Sequence, residues 1–146
     1  MTNGEIHHAN NPGRTDYLYR VSLKSVIFND HGEVLVVKES GRDWWDIPGG
    51  GMDHGESIKE AIARELNEEV SLTGPFKFRP ILAEDPVYLP NHNLFQMRLT
   101  FRVDPDNHEF SPGIDGDETM FIDPVEFKDS EIITERKIYE YSLLAS

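Results

Sequence analysis

The amino-acid sequence predicts one α/β domain. Five segments rich in β-branched, aromatic and leucine residues are typical of strands, and turn-forming Gly, Pro, Asn and Asp residues separate them. Two further segments have the spacing and the capping residues of helices. The 146 residues are enough to bury one core, and the sequence contains no internal repeat.

The elements follow one another in a simple order. Residues 1–16 are polar, so we expect a flexible N-terminal lead-in before a single domain at residues 17–146. The strand-like segments 17–28 and 33–38 flank the turn-forming Asn29-Asp30-His31-Gly32, which predicts a hairpin. The other predicted elements are strands at 76–83, 94–103 and 120–122, a helix start at Asp123-Pro124 and a closing helix at 132–144.

Acidic residues dominate the composition. Twenty-seven Asp and Glu against 14 Lys and Arg give a net charge of −13, so binding to a nucleic acid polymer through its phosphates is not expected. The absence of Cys excludes thiol nucleophiles, thiolate metal sites and disulfides. No apolar stretch long enough to span a membrane and no signal-peptide pattern is present, so we expect a cytoplasmic protein.

The segment 57–70 predicts the best-defined helix. Ser57 and Glu60 have the spacing of a capping box at its start. A glycine-rich loop, residues 47–55, comes directly before it, and such a loop allows the backbone to approach a ligand closely.

Three carboxylates share one arc of this helix. With 100° between successive residues, Glu65, Glu68 and Glu69 continue the apolar arc of the first turns and therefore point toward the protein. Like charges at this spacing destabilise a helix by about 0.2 to 0.5 kcal/mol per pair, which predicts a bound cation. Carboxylate oxygens suit Mg²⁺. The alternative is a solvated helix face on which Arg64 pairs with Glu60 and Glu68.

The loop and the helix together form a fixed pattern. Five residues separate Gly50 from Glu56, seven more lead to Arg64-Glu65-Leu66, and Asn67-Glu68-Glu69-Val70-Ser71-Leu72 completes the run. This pattern, at residues 50–72, resembles the Nudix box at every fixed position but one. Ser71 stands where the family has a glycine that serves the left-handed turn at the helix end, and the following Thr73-Gly74 is expected to take over that turn.

The resemblance implies the Nudix fold, an α/β/α sandwich with a central mixed β-sheet and a loop-helix-loop catalytic motif. It also implies a hydrolase that uses water and Mg²⁺ or Mn²⁺ to cleave a phosphoanhydride bond in a nucleoside diphosphate linked to another moiety. The site residues that it implies are the metal ligands Glu65, Glu68, Glu69 and the Gly49 carbonyl, with Glu56 and Arg64 orienting them.

The resemblance also bears on partners and on competing functions. The expected partner is a small-molecule nucleotide or diphosphate, and a homodimer is compatible with the family. A related isomerase branch of the fold uses a cysteine, which this chain lacks. The alternative from another class is a Nudix-like module that senses a nucleotide without cleaving it. Loss of the box carboxylates would mark such a module, and here they are all present.

Residues outside the box are weaker candidates. Glu118, in an acidic segment before a predicted strand, is a candidate for a further metal ligand or the general base, and Glu65 is the alternative base. Trp44 is a candidate for stacking on a flat group, and Lys38 and Arg42 for contacting phosphate oxygens. Packing or a solvated surface is the alternative for each of these three.

Two arginines and two histidines complete the candidates. Arg98 and Arg102 share a face of one predicted strand, where they either line a pocket or lie on a solvated sheet face. His54 and His92 have no partner visible in the sequence, so we expect them at the surface or behind the site.

Overall fold

A mixed β-sheet between two helices forms the centre of the molecule. The computed structural model describes residues 4–146. The elements in chain order are β1 (Glu5–His7), β2 (Thr15–Tyr17), β3 (Tyr19–Val26), β4 (Val34–Glu39), β5 (Gly49–Gly51), α1 (Ile58–Val70), β6 (Phe76–Ala83), β7 (Val87–Leu89), β8 (Leu94–Pro105), β9 (Gly116–Ile122), a 3₁₀ helix (Pro124–Phe127) and α2 (Ile133–Ala145).

Within residues 4–146 the strands form one larger sheet and two pairs. The larger sheet has the order β5-β3-β8-β6, with β7 also paired to β8. Strands β3 and β8 run parallel, and the other pairs in this sheet are antiparallel. Strands β4 and β9 form an antiparallel pair, as do β1 and β2.

Alternating side chains of the strands build two cores. On β4, Leu35 and Val37 pack with α1, while Val34 and Val36 pack with α2, because successive side chains of a strand point to opposite faces. Every one of these four residues is 0% exposed, so β4 is buried on both faces. The predicted α/β/α sandwich with its mixed sheet is therefore confirmed. Neither helix of the described residues has the length and apolar character needed to cross a membrane.

The predicted hairpin at residues 17–38 is only partly formed. Asn29 makes the expected turn, since its side-chain oxygen accepts hydrogen bonds from the N–H groups of His31 and Glu33, both at 3.0 Å. Beyond one bridge between Phe28 and Val34 the two strands separate, and β4 pairs with β9 instead of β3. Long-range pairing outweighs the local turn signal.

The predicted flexible lead-in at residues 1–16 contains short strands where the structure describes it. Residues 1–3 lie outside the described residues. Beyond them, β1 and β2 form a hairpin in which Glu5 lies opposite Tyr17, and the Leu18 N–H donates to the Gly4 carbonyl at 2.7 Å. Backbone hydrogen bonds therefore pair part of this segment, and its flexibility stays a prediction.

Helix α1 has the predicted cap at its start and a different end. The Ser57 hydroxyl accepts from the Glu60 N–H at 3.1 Å, as the capping-box pattern predicts. At the other end Ser71 itself adopts the left-handed conformation, with φ of 57°, and its N–H bonds to the helix carbonyls. The expectation that Thr73-Gly74 makes this turn is therefore wrong.

Replacing Ser71 with glycine is expected to stabilise the protein. A residue with a Cβ in the left-handed conformation destabilises the folded state by roughly 1 to 2 kcal/mol. Glycine removes this strain, but it also gives the unfolded chain more conformational entropy, which offsets part of the benefit. We therefore expect the free energy of unfolding to rise by about 0.5 to 1 kcal/mol. Urea denaturation measures this gain. Ser71→Ala keeps the backbone penalty and should show no gain; equal stabilisation by alanine would contradict the explanation.

Candidate active site

A polar cleft of about 760 Å³ opens where the glycine strand β5 meets helix α1. The box carboxylates Glu65, Glu68 and Glu69 line one side of it. Cationic, aromatic and polar side chains from separate parts of the chain also line it, namely Arg20, Lys24, Arg42, Trp44, His92, Gln96 and Arg98, together with Glu39, Asp46 and Asp115. Carboxylates and cationic side chains thus share one cavity.

Glu69 is the most deeply buried of the three carboxylates. It is 3% exposed, and its Oε2 accepts a hydrogen bond of 2.6 Å from the Gly49 N–H. Burial raises the pKa of the Glu69 carboxyl above its ordinary value, against the opposing effects of Lys24 and of this hydrogen bond. Gly49 has φ of 146°, and a Cβ there would lie 2.0 Å from the Leu23 carbonyl oxygen, so only glycine fits.

Arg64 holds the other acidic residues of the box together. Its Nε and Nη2 donate to the two carboxylate oxygens of Glu56 at 2.7 and 2.9 Å, and Nη2 also donates to the Gly51 carbonyl at 3.0 Å. Its Nη1 lies 3.0 Å from Glu65 Oε1 and 3.3 Å from Glu68 Oε2. One planar guanidinium therefore fixes the loop and three carboxylates in one arrangement.

The two carboxylates on either side of Arg64 differ in proton affinity. The hydrogen bonds from Arg64 hold the pKa of Glu56 below its ordinary value. Burial raises the pKa of Glu65, although Arg64 partly offsets it. The Glu65 carboxylate therefore holds a proton more readily than Glu56 does.

The donor chemistry of the cleft fits a hard divalent ion. Glu65, Glu68 and Glu69 offer only carboxylate oxygens, and Gly49, the source of the predicted carbonyl ligand, also lines the cleft. Within residues 4–146 no three acidic or histidine side chains are gathered around one point as a ligand set. Hydrogen bonds from Arg64 hold Glu65 and Glu68 in their separate positions, and a hydrogen bond from the Gly49 N–H holds Glu69.

A loop binds the end of helix α1 through backbone hydrogen bonds that were not predicted from the sequence. The N–H groups of Ser111, Gly113 and Asp115 donate to the carbonyls of the last helical turn at 3.1, 3.0 and 2.8 Å. A Cβ on Gly113 would lie 2.2 Å from the Glu68 carbonyl oxygen. The glycines at 113 and 116 are the signal in the sequence that could have revealed this close approach.

Lys24 is the main cleft residue that the sequence analysis missed. It is 5% exposed, and its Nζ lies 3.0 Å from Asp46 Oδ2 and 3.9 Å from Glu39 Oε1. Burial alone would lower the pKa of Lys24, but attraction by Asp46, Glu69 and Glu39 outweighs it and raises that pKa. The only signal for it is a lysine inside a buried strand segment.

The arginine pair on β8 divides between two places. Arg98 lines the cleft, and its Nη1 donates to the Tyr141 hydroxyl at 3.3 Å. Tyr141 in turn donates to Glu84, which also pairs with Lys137 at 2.7 Å. Arg102 is not among the cleft residues, and its Nη1 instead donates to the Ala145 carbonyl at 2.9 Å.

Of the candidates near the glycine loop, two reach the cleft and one does not. Trp44 and Arg42 line it, with the guanidinium 5.8 Å from the centre of a Trp44 ring. Arg42 also pairs with Glu39 at 2.8 Å. Lys38 lies over Trp45 at 4.8 Å and 3.9 Å from Glu118, and it is not among the residues that line the cleft.

Glu118 and the two histidines also separate. The Glu118 side chain is 61% exposed and does not line the cleft, so the structure does not bring this candidate base to the box carboxylates. Asp115, from the same acidic segment, does line it. His92 lines both the cleft and a neighbouring apolar groove, whereas His54 lines only that groove.

Replacing Glu118 with glutamine is therefore expected to leave turnover nearly unchanged. Substitutions of exposed residues typically change free energies by less than about 0.5 kcal/mol, which corresponds to about twofold in rate. Steady-state kinetics of the Glu118→Gln variant provide the test. A loss of about a hundredfold or more would instead identify Glu118 as the general base.

Comparison with known proteins relates this geometry to a family. The family model for the NUDIX domain matches residues 18–141. An RNA pyrophosphohydrolase of Ruthia magnifica subsp. Calyptogena magnifica is 45% identical over 71 residues, which cover 49% of this chain and 38% of the relative. This chain thus matches well under half of that protein's length.

Solved structures show the same fold at low sequence identity. A MutT protein from Methanosarcina mazei Go1 has a TM-score of 0.65 and 23% identity, covering 85% of this chain and 92% of its own. The NUDIX domain of Shewanella oneidensis NrtR, complexed with ADP ribose, has a TM-score of 0.68 and 14% identity, covering 94% and 97%. The match of the family model over residues 18–141, together with this fold, shows that the chain belongs to the NUDIX domain family.

Proposed function

We propose that the chain is a hydrolase that cleaves a phosphoanhydride bond in a nucleoside triphosphate, or in a nucleoside diphosphate linked to another moiety, with Mg²⁺ or Mn²⁺ as cofactor. The observation that carries this proposal is the cleft itself, in which three carboxylates held by Arg64 and Gly49 share one cavity with several arginines. Nudix hydrolases generally use divalent metal ions. The relatives named RNA pyrophosphohydrolase support cleavage at a pyrophosphate bond.

The box carboxylates in the cleft hold the cofactor in this proposal. Glu65, Glu68 and Glu69 provide carboxylate oxygens, and the Gly49 carbonyl is a further ligand. A divalent ion in such a site neutralises phosphate charge and lowers the pKa of water. Arg64 and Glu56 keep the ligands in place, since groups around a metal site typically orient its ligands.

The arginines that line the cleft bind the anionic substrate in this proposal. Arg98, Arg42 and Arg20 face the cleft, and Trp44 offers a flat ring for stacking on a base. Arg20 packs against Gly51, where a Cβ would lie 2.0 Å from its guanidinium, and within residues 4–146 it forms no ion pair with a carboxylate. Its charge is therefore available to a phosphate oxygen.

Glu65 is the proton acceptor in this proposal. Its carboxylate lines the cleft, its side chain is 12% exposed, and burial has raised its pKa, which favours proton uptake. Water oxygen forms a bond to phosphorus, the bridging P–O bond breaks, the leaving phosphate departs as an anion and the water proton passes to Glu65. Hydrolysis then yields two products that each carry phosphate, and no covalent bond to the enzyme forms.

The test is a substrate panel with Mg²⁺, with Mn²⁺ and with chelator. The panel contains nucleoside triphosphates, ADP-ribose, dinucleoside polyphosphates, sugar nucleotides and a short RNA with a 5′ triphosphate. We expect chelator-sensitive release of phosphate-containing products from at least one small nucleotide, and much slower release with the Glu69→Gln variant. If nothing is cleaved while one nucleotide raises Tm only with metal, the protein is a nucleotide-sensing module instead.

A further inference from the structure

A buried lysine lies at the inner end of the same cleft. Lys24, on β3, is 5% exposed and lines the cleft with the box carboxylates. Its Nζ lies 3.0 Å from Asp46 Oδ2, 3.5 Å from the Ile47 carbonyl oxygen and 3.9 Å from Glu39 Oε1. The ammonium is thus fixed by oxygen atoms and has little freedom to move.

The surroundings of Lys24 are continuous with those of Glu69. Lys24 lies directly opposite Gly49 in the β3–β5 pair, and the Gly49 N–H donates to Glu69. Asp46 and Glu69 are 8% and 3% exposed. Asp46 and the partly buried Glu39 therefore lie 3.0 and 3.9 Å from this internal cation, and Glu69 attracts it from farther away.

The charge balance gives this lysine a role. Buried carboxylates are costly unless a cation compensates them, and either an ammonium or a metal ion serves. An ammonium cannot leave or exchange, whereas a divalent ion can. Because Lys24 already occupies the space beside Asp46 and Glu39, a divalent ion is kept from these oxygens by both repulsion and exclusion.

We propose that Lys24 is a built-in counterion that takes the place of one divalent ion at the inner end of the cleft. The chain consequently binds one divalent ion fewer than it would with a neutral residue at position 24. This inference rests on the metal binding of the proposed function, and it assigns Lys24 a positioning role rather than a catalytic one.

The experiment counts Mn²⁺ ions bound per chain at equilibrium, using the electron paramagnetic resonance signal of free Mn²⁺. We expect Lys24→Met to bind one more Mn²⁺ per chain than the unmodified protein. The matched control is Lys137→Met, which removes another lysine from a short ion pair, 2.7 Å from Glu84, and should leave the count unchanged. Adding Asp46→Asn to Lys24→Met should return the count to its original value, because it removes the carboxylate nearest to Lys24.

The outcomes separate this inference from the proposed function. If the unmodified protein binds no Mn²⁺ at all, the metal dependence of the proposed function fails. If it binds Mn²⁺ but Lys24→Met binds the same number, only the role of Lys24 is wrong. Circular dichroism monitors folding of each variant, and Lys24→Gln replaces Lys24→Met if the methionine variant does not fold.

Discussion

The Glu69→Gln variant is expected to lose about 10²- to 10³-fold in kcat/KM, corresponding to the several kcal/mol that a metal site contributes to charge stabilisation. The amide keeps the shape of the side chain and one oxygen that can accept from the Gly49 N–H, so the 2.6 Å hydrogen bond can persist. It removes the negative charge that the proposed metal requires. Catalysis should therefore fall much more than stability.

Two measurements test this expectation together. Steady-state kinetics on the best substrate of the panel give kcat/KM, and urea denaturation in chelator gives the free energy of unfolding. Glu60→Gln is the matched control, because Glu60 lies on the same helix but is exposed and does not line the cleft. A Glu69→Gln variant with the activity of the Glu60→Gln variant would refute the assignment of Glu69 to the metal.

Replacing Gly49 with alanine is expected to lower the free energy of unfolding by about 3 kcal/mol or more. The φ of 146° is unfavourable for alanine, and the added Cβ would lie 2.0 Å from the Leu23 carbonyl oxygen. Backbone strain of this kind costs about 1 to 3 kcal/mol, and loss of the hydrogen bond to buried Glu69 adds about 1 to 3 kcal/mol. Activity should fall as well, since Glu69 loses its anchor.

Gly13→Ala provides the control for this substitution. Gly13 has no atom within 4 Å of an added Cβ, so alanine should be tolerated there. The urea midpoints of the two variants and the unmodified protein give the comparison. A shift of Gly49→Ala no larger than that of Gly13→Ala would show that β5 can move away from β3 without cost.

Local signals predicted the elements whose formation depends on neighbours in sequence. The Ser57 cap, the helix that follows it and the strand at Phe76–Ala83 are observed where the sequence placed them. The hairpin after the N-terminal segment is only partly formed because β4 finds its partner in β9, more than 70 residues away. Strand β7 was missed because its three residues carry too little periodic signal.

The same distinction applies to the site. The carboxylates of the box share one helix and one spacing, so the sequence showed them as a group. The cationic residues of the cleft were not visible as a group, because Lys24 and Arg98 come from strands that meet only through the parallel β3–β8 pairing. Glu118 lies near a predicted strand, yet in the structure it pairs opposite Lys38 and stays exposed.

The loop that binds the end of α1 affects which charged groups can reach the carboxylates of the proposed metal site. The last turn of this helix contains no basic residue, although helix C-termini favour cations. The backbone amides of residues 111, 113 and 115 supply the positive ends of their dipoles to those carbonyls instead. A lysine in the same position would have a flexible ammonium able to compete for Glu68 and Glu69. By using amides that cannot swing into the cleft, the chain stabilises its helix end without adding a competitor for the metal proposed to bind Glu68 and Glu69.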